Sequence, residues 1–285
     1  PLVPLGDRES GELVQASAGR ELPDHTVRTI SARAGGNPLF LTELARLAAE
    51  SPDGPTSPDL PGSLRALIAS RLDQLTAAQR ALLDNASILG VEGRTVALRE
   101  FAAEMGQVFD PADLDVLETS GLLVRDDGRW QFRSDIVREV AYQTLTKQAR
   151  AQRHAGVARH LATLGEAFVD SQAHHLASAA ELVAEIGPTY GVPDDVVERA
   201  VALLTRAARR WYHQGAHRRG IQLIQRALAL DPSISDRREA LLLLAEGLVE
   251  SHSHTRAVDV LNEVSELATA AHDRVTLAEV LRLRG

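Results

Sequence analysis

Residues 201–232 read VALLTRAARRWYHQGAHRRGIQLIQRALALDP, and this stretch decides the fold of the second half of the chain. Two sets of small and apolar residues recur in it at helical spacing: Leu204, Ala208 and Trp211, then Gly220, Ile224 and Ala227. Each set forms one stripe on a helix, and Pro232 closes the second. The stretch therefore predicts two helices that pack closely, because small residues recur where the two would touch.

The same pattern returns 37 residues later. The matching positions are Leu241, Ala245 and Leu248, followed by Ala257, Leu261 and Val264. A shorter third unit follows, from about Asp273 to Leu283, and is truncated there. This periodicity is typical of tetratricopeptide-like repeats, which stack into an α-helical solenoid. We assign the repeats to 191–285 and a helical connector to 147–190.

The composition favours a mainly α protein of two or three domains. The chain has 285 residues, of which 44% are hydrophobic and 4% aromatic, and it contains no cysteine. Alanine and leucine dominate, and both enter helices at little cost. The absence of cysteine excludes disulfides and thiol catalysis and fits a cytoplasmic location. The sequence contains no run of 18 apolar residues, so it predicts no membrane span.

The charged residues exclude a complete nucleotide site within this chain. A phosphate-binding loop ends in Gly-Lys-Ser or Gly-Lys-Thr, whereas the only lysine, Lys147, is followed by Gln148. We therefore expect no bound cofactor in this chain alone. No paired carboxylates and no Ser–His–Asp set stand in a recognisable motif, so we expect no catalysis either. The net charge of −8 gives no general attraction to nucleic acid.

A glycine turn interrupts the first fifty residues. The segment 35–45 reads GGNPLFLTELA, which predicts a tight turn and a helix that begins at Pro38. Two helices are expected before it, from about Arg8 to Ala18 with Asp7 as cap and up to Ala34 with Asp24 as cap. Four prolines and a glycine in 51–61 then predict a linker.

The segment 62–146 is predicted to be a winged-helix-like domain. Helices are expected near Ser63–Leu72, after Thr76, over about Val96–Met105 and after Asp110-Pro111. Two short apolar runs then flank Asp126-Asp127-Gly128, which predicts a β-hairpin and the only convincing β-structure after the start of the chain. The helix before the hairpin carries four carboxylates: Asp110, Asp113, Asp115 and Glu118. These would repel phosphates, so we expect no DNA binding.

Three stretches resemble one family. GNPLFLTEL at 36–44 resembles the lid of STAND-type signalling ATPases, which include adenylyl cyclase–ATPase fusions and LuxR-type transcriptional regulators. LPGSLRALIASRLDQLTAAQRALLDNASILG at 60–90 and GLLVRDDGRWQFRSDIVREVAYQTL at 121–145 resemble the winged helix of the same proteins. The resemblance implies that 1–50 is the end of an ATPase core with its lid helices.

The resemblance also implies a function and a set of contacts. Asn37, Pro38 and Ser134 would lie near ATP or ADP in the intact protein, although the family typically has histidine where Ser134 stands. Ser134 is also a good helix cap. The chain would be a non-catalytic sensor region that couples nucleotide state on its own upstream ATPase core to a protein or small-molecule inducer on the repeats. The alternative is a repeat scaffold with no nucleotide link.

Other polar side chains allow two interpretations each. Five arginines form a local basic cluster: Arg206, Arg209, Arg210, Arg218 and Arg219. The cluster is either a site for an anion or an acidic partner, or a solvated face balanced by Asp194, Asp195 and Glu198. His213 and His217 have the spacing of two metal ligands on one helix, but the glutamate of zinc proteases is missing, so we expect no metal. His174 and His175 should point to different faces.

Two further histidines, His252 and His254, are expected in a turn between helices. Three charged residues lie inside the family-like stretches: Glu43, Arg138 and Glu139. They would pair across the seam between the lid and the winged helix or lie near the nucleotide, or would form surface ion pairs worth less than about 1 kcal/mol.

Overall fold

A computed structural model describes residues 4–50 and 62–284, so the linker predicted at 51–61 lies outside the described residues. The chain divides into two compact units, Pro1–Thr146 and Lys147–Gly285. The described residues form helices and one small antiparallel sheet, and the second unit is a stack of helices. The predicted fold class, mainly α with a helical solenoid, is confirmed. None of the described helices is long and apolar enough to cross a bilayer.

The first unit consists of eight described helices and three strands: α1 Asp7–Ala18, α2 Asp24–Ala34, α3 Pro38–Glu50, α4 Gly62–Leu72, α5 Ala77–Leu89, β1 Glu92–Arg94, α6 Thr95–Glu104, α7 Pro111–Thr119, β2 Leu123–Asp126, β3 Arg129–Phe132 and α8 Asp135–Thr144. Thr76 caps α5 as predicted, since its hydroxyl accepts from the Gln79 amide. Asp7 and Asp24 are the first helical residues and not caps, so each predicted start is one residue late. Their carboxylates still favour the positive end of each helix dipole.

The sheet has the order β1-β3-β2. The predicted hairpin of β2 and β3 is confirmed, and both residues of its turn have positive φ, 39° at Asp127 and 72° at Gly128. The prediction that the hairpin is the only β-structure is wrong, because β1 pairs with β3. A Cβ at Gly93 of β1 would lie 2.9 Å from Trp130, so this strand depends on a side chain 37 residues away.

One hydrophobic core joins α1–α3 to the segment that follows residue 61. Phe40 and Leu41 of α3 belong to the same buried cluster as Leu64 of α4, Leu83 of α5 and Trp130 of β3. The buried side of α3 therefore faces this shared core. Residues 4–50 and 62–146 fold as one body.

The described residues of the second unit form one short 3-10 helix, Glu166–Phe168, and seven α-helices: α9 Lys147–Leu164, α10 Val169–Ile186, α11 Val196–His213, α12 His217–Ala229, α13 Ile234–Glu250, α14 His254–Ala270 and α15 Arg274–Arg284. Of the six repeat positions, Leu204, Ala208, Gly220, Ile224 and Ala227 are buried and Trp211 is half-buried. All six counterparts one repeat later are buried: Leu241, Ala245, Leu248, Ala257, Leu261 and Val264. Gly220 must be small because a Cβ there would overlap the ring of Tyr212. The helical pairing predicted from periodicity is confirmed.

The segment 147–190 belongs to the same stack. Ala155 and Ala158 of α9, with Leu176 of α10, share one buried cluster with Leu204 of α11 and Ala227 of α12. Small residues again let these helices approach closely. The predicted connector thus packs as a helix pair against the first repeat.

Candidate functional site

Two glycines bring the motif turn against distant backbone. Gly35 and Gly36 have positive φ of 59° and 72°, which glycine adopts without strain. A Cβ at Gly35 would lie 1.9 Å from the Arg133 carbonyl oxygen, and one at Gly36 would lie 2.5 Å from the Leu5 carbonyl oxygen. The turn is therefore in contact with the segment between β3 and α8, which contains Ser134. The residue before the stretch 36–44 thus lies against the stretch 121–145, and both stretches carry the family resemblance.

The side chains of the turn have different surroundings. Pro38 is the first residue of α3, as predicted, and its ring is exposed to solvent. Leu39 is also exposed, with 46% of its surface accessible. The Asn37 Oδ1 accepts from the Leu39 amide at 3.1 Å and so caps the helix. Of the two expected contacts on this turn, Pro38 presents free surface, whereas the Asn37 side chain is already bonded. Leu39, which was not expected to be a contact, is exposed beside Pro38.

Ser134 is buried, and its hydroxyl is used within the fold. The Oγ accepts from the Ile136 amide at 3.1 Å, which makes it the N-cap of α8. The same hydroxyl donates to the Arg33 carbonyl oxygen near the end of α2. The predicted cap is confirmed, and the hydroxyl additionally ties α2 to α8. Contact of Ser134 with a nucleotide stays a prediction.

An ion pair crosses the same seam. Arg33 of α2 lies 3.3 Å from the Glu139 carboxylate of α8, and both side chains are mostly buried. Arg138 donates to the Ser87 carbonyl oxygen at 3.2 Å. Glu43 does not reach either residue and lies 3.7 Å from Arg46 on its own helix. Of the three charged residues in the family-like stretches, Glu139 is the one that pairs across the seam, and its partner is Arg33.

The acidic helix before the hairpin is partly neutralised. Arg125 of β2 bonds Glu118 at 2.7 Å and Asp115 at 2.5 Å. The hydrogen bond with Glu118 is the main cause that raises the pKa of Arg125 above its ordinary value. The Asp110 side chain caps α7 by accepting from the Ala112 amide at 2.9 Å. Three of the four carboxylates thus bond within the fold, and negative charge at this helix gives phosphates no attractive surface.

The five arginines of the predicted basic cluster are spread over several contacts. Arg206 forms an ion pair with Glu166, and Arg210 donates to the Glu166 carbonyl oxygen at 2.9 Å. Arg209 pairs with Glu239 at 2.7 Å, and the Arg219 guanidinium lies 4.1 Å from the centre of the Trp211 ring. Arg218 has no such contact within the described residues. The balancing carboxylates are Glu166 and Glu239 and not those expected from the sequence.

His213 and His217 do not share a helix. α11 ends at His213 and α12 begins at His217, so the four-residue spacing spans a turn and the expected helical face does not exist. The residues between them, Gln214-Gly215-Ala216, continue no helix, and Gly215 has a φ of 74°. Both histidines nevertheless line one pocket. In the described residues, no group of three potential ligands is placed to hold a metal ion.

A buried histidine pair was not predicted. The Nδ1 atoms of His154 on α9 and His175 on α10 lie 2.9 Å apart. Burial, followed by the neighbouring histidine charge, lowers the pKa of His154 to about 2, and burial followed by His174 lowers that of His175 to about 3. His174 faces outward, as expected. The spacing of His154 from Ala151, Ala155 and Ala158 is that of one helical face and could have revealed its burial.

Comparison with known proteins gives one structural match. No family model matches the chain, and no curated protein matches it. A solved structure from Pyrococcus horikoshii, a Signal Transduction ATPase with Numerous Domains (STAND) protein with a tetratricopeptide repeat sensor, is 14% identical, and the match has a TM-score of 0.36. It covers 99% of this chain and 44% of that one, so this chain spans less than half the length of that protein. A TM-score this low assigns neither fold nor function.

Proposed function

We propose that the chain is the non-catalytic sensor region of a multidomain STAND-type ATP-binding signalling protein. The observation that supports this most directly is the contact of Gly35 with Arg133, because it places the residue before the lid-like stretch 36–44 against the winged-helix-like stretch 121–145. These stretches are distant in sequence, and their proximity is what a lid that packs on a winged helix requires. The order α5-β1-α6-α7-β2-β3 further supports a winged helix within 62–146.

In this proposal the exposed edge of the turn faces the nucleotide. Pro38 and Leu39 would lie against ATP or ADP held by the chain's own upstream ATPase core, since their surfaces are free in the folded chain. Ser134 would act indirectly, because its hydroxyl already holds the carbonyl of Arg33. The Arg33–Glu139 pair and the glycine turn would then report nucleotide state as two alternative packings of α2 and α3 on α8.

The repeats would receive the signal. Stacked helices expose long surfaces that suit a protein or small-molecule inducer, and binding there would bias the switch. The output would be an adenylyl cyclase or a LuxR-type transcriptional module elsewhere in the intact cytoplasmic protein. DNA binding through the winged helix is not part of this proposal, because Arg125 is already paired with Asp115 and Glu118.

The test is ADP binding by the intact protein with Pro38→Ala. We expect the dissociation constant to rise about five- to ten-fold, because an apolar contact of the ring with the nucleotide is lost. Pro111→Ala is the matched control, since Pro111 is likewise the first residue of a helix, α7. Equal affinities of the two variants and the parent would contradict the proposal. Residues 1–285 alone should give no calorimetric signal with ATP, and micromolar binding would contradict it too.

A scaffold without a nucleotide link is the alternative function. The observation that favours it is the internal bonding of Ser134, which occupies the position of the family's phosphate-facing histidine. The sequence upstream of residue 1 separates the two. A Gly-Lys-Ser or Gly-Lys-Thr loop there supports the switch. An upstream sequence without such a loop leaves the scaffold.

A further inference from the structure

A pocket of about 430 Å³ opens in the second unit between α11, α12 and α13. Two of its walls come from consecutive repeats: Tyr212 and His213 from the end of α11, and Glu246 and Glu250 from α13. His217 at the start of α12 completes it. The pocket brings together ring nitrogens, a phenol and carboxylates. Neither the repeat pattern nor the proposed sensor role gives these groups a function.

Two stacked rings form the apolar floor of the pocket. The rings of Tyr212 and His217 lie 5.7 Å apart with an angle of 27° between their planes. Gly247 allows this arrangement, because a Cβ there would lie 2.3 Å from the Tyr212 Oη. Gly220 is equally necessary on the other side of the ring. The phenol is thus held in one orientation by the backbone of two helices.

The floor carries two buried polar atoms without a protein partner. Within the part of the chain that the structure describes, neither the Tyr212 Oη nor the His217 Nδ1 has a hydrogen-bond partner. Buried polar groups in proteins are almost always paired, so these two are exceptions. Both atoms have almost no accessible surface, so an occupant of the pocket would contact the rings and not these atoms.

Two carboxylates and one guanidinium line the pocket: Glu246, Glu250 and Arg209. Glu246 and Glu250 are four residues apart on α13 and so project from one side of the helix. Neither takes part in an ion pair among the described residues, whereas Arg209 is held by Glu239 at 2.7 Å. The guanidinium of Arg282 bonds Glu279 at 2.6 Å, and this hydrogen bond raises the pKa of Arg282 more than the charge of Glu246 does. Two carboxylates therefore remain without a direct counter-charge.

We propose that this pocket binds the lysine or arginine side chain of a protein partner. The alkyl part of such a side chain would lie on the Tyr212 ring, and its cation would reach Glu246 and Glu250. The pocket is open where His213 and Glu250 are exposed, which suits a residue in a chain, whereas sites for free small molecules enclose most of the ligand. This assignment rests on the proposed role of the repeats as the partner-binding part.

The experiment is a chemical-shift titration of the ¹⁵N-labelled full chain with acetyl-Gly-Gly-Lys-Gly-Gly-amide. The amides of Gly247 and His217 should shift and saturate. The same peptide with norleucine in place of lysine keeps the alkyl chain and removes the charge, so it should bind at least about ten-fold more weakly. Equal shifts with both peptides, or no saturable shift up to about 10 mM lysine peptide, would refute the cation pocket.

Variants locate the site. Glu246→Gln/Glu250→Gln should weaken the lysine peptide about ten-fold or more, and Tyr212→Phe, which keeps the ring, should change its affinity by less than about two-fold. Both changes preserve side-chain shape. Asp259→Asn/Glu266→Gln on α14 removes the same charge outside the pocket and should leave affinity unchanged. An equal loss in this control would reduce the effect to general electrostatics and refute the pocket. Thermal unfolding of the two double variants should agree, which separates binding from folding.

Titration with a free amine tests whether the bound cation belongs to a protein chain or to a small molecule. Butylammonium should bind about ten-fold more weakly than the lysine peptide, because it lacks the backbone that continues along the open side. Equal affinity would overturn the assignment to a protein partner. Nucleotide binding by the intact protein does not involve this pocket, so a failure here leaves the Pro38 test intact, and a failure there leaves this titration interpretable.

Discussion

The two units of this chain are held together in different ways. In the first unit, segments far apart in sequence meet: Gly35 contacts Arg133, and β1 pairs with β3 across 37 residues. In the second, three buried clusters follow one another along the chain, each formed by neighbouring helices. The first unit should therefore fold and unfold as a whole, whereas the second depends on nearest-neighbour contacts. This difference also decides which features a sequence reveals.

The largest expected difference between the two units is the effect of pH on the stability of the second unit. His154 and His175 stay neutral in the folded state to about pH 2 and 3, whereas the unfolded histidines take up protons below about 6.5. The contribution of these histidines to stability is therefore fully present above pH 6.5, and the free energy of unfolding falls as the pH is lowered from there. We expect a loss of about 2 kcal/mol per histidine at pH 5, with the positive charges of Arg226 and Arg150 acting in the same direction.

Urea unfolding of the Trp130→Phe variant at pH 7 and pH 5 measures this effect, because Trp211 then reports the second unit alone. His154→Gln/His175→Gln should flatten the pH dependence. A histidine replacement in a turn, His252→Gln, serves as control and should leave it steep. If the double variant were as pH-sensitive as the parent chain, the buried pair would not be the cause.

The next effect falls on the first unit and on its long-range contact. Gly35→Ala places a Cβ on the Arg133 carbonyl and forces an alanine into a left-handed conformation, so we expect a loss of about 3 kcal/mol. Gly19→Ala is the matched control: its φ is 67°, but no atom lies within 4 Å of the new Cβ, and it should cost about 1 kcal/mol.

The measurement for this pair is urea unfolding of the Trp211→Phe variant, in which Trp130 reports the first unit. Equal losses for the two alanine variants would show that only the backbone conformation matters and that the contact with Arg133 is unimportant.

The smallest effect concerns the ion pair at the seam. Glu139→Gln should cost about 0.5–1 kcal/mol, because Arg33 and Glu139 are mostly but not fully buried. Glu12→Gln removes one partner of the exposed Arg8–Glu12 pair and should cost less than about 0.5 kcal/mol. Salt should reduce the second value more than the first. At 1 M salt the Debye length is about 3 Å. The comparison fails if this salt concentration reduces the loss of stability equally in both variants.

Elements with local signals were predicted well. The helices of the repeats, the hairpin around Asp127-Gly128 and the caps at Thr76 and Ser134 follow from patterns within a few residues. β1 was missed because Glu-Gly-Arg carries no strand pattern, and its pairing depends on Trp130. His213 and His217 were placed on one helix because their spacing alone does not show the turn at Gly215.

The candidate sites show the same division. The sequence singled out Pro38 and Ser134 through a resemblance, but only the fold shows that Pro38 is exposed and that the Ser134 hydroxyl is occupied. The pocket at Tyr212 was not predicted at all. Its residues come from three helices, and the glycines that shape it, Gly220 and Gly247, stand among ordinary repeat positions.

Periodicity and composition were sufficient to establish helices, repeats, the hairpin and the lack of a phosphate-binding loop, because each is a property of neighbouring residues. Close approach between distant segments required the tertiary structure. Gly35 lies against Arg133, His154 against His175, and Tyr212 between two glycines, because packing selects which of many possible long-range contacts form. Those contacts carry the proposed switch and the proposed pocket, and no local pattern encodes them.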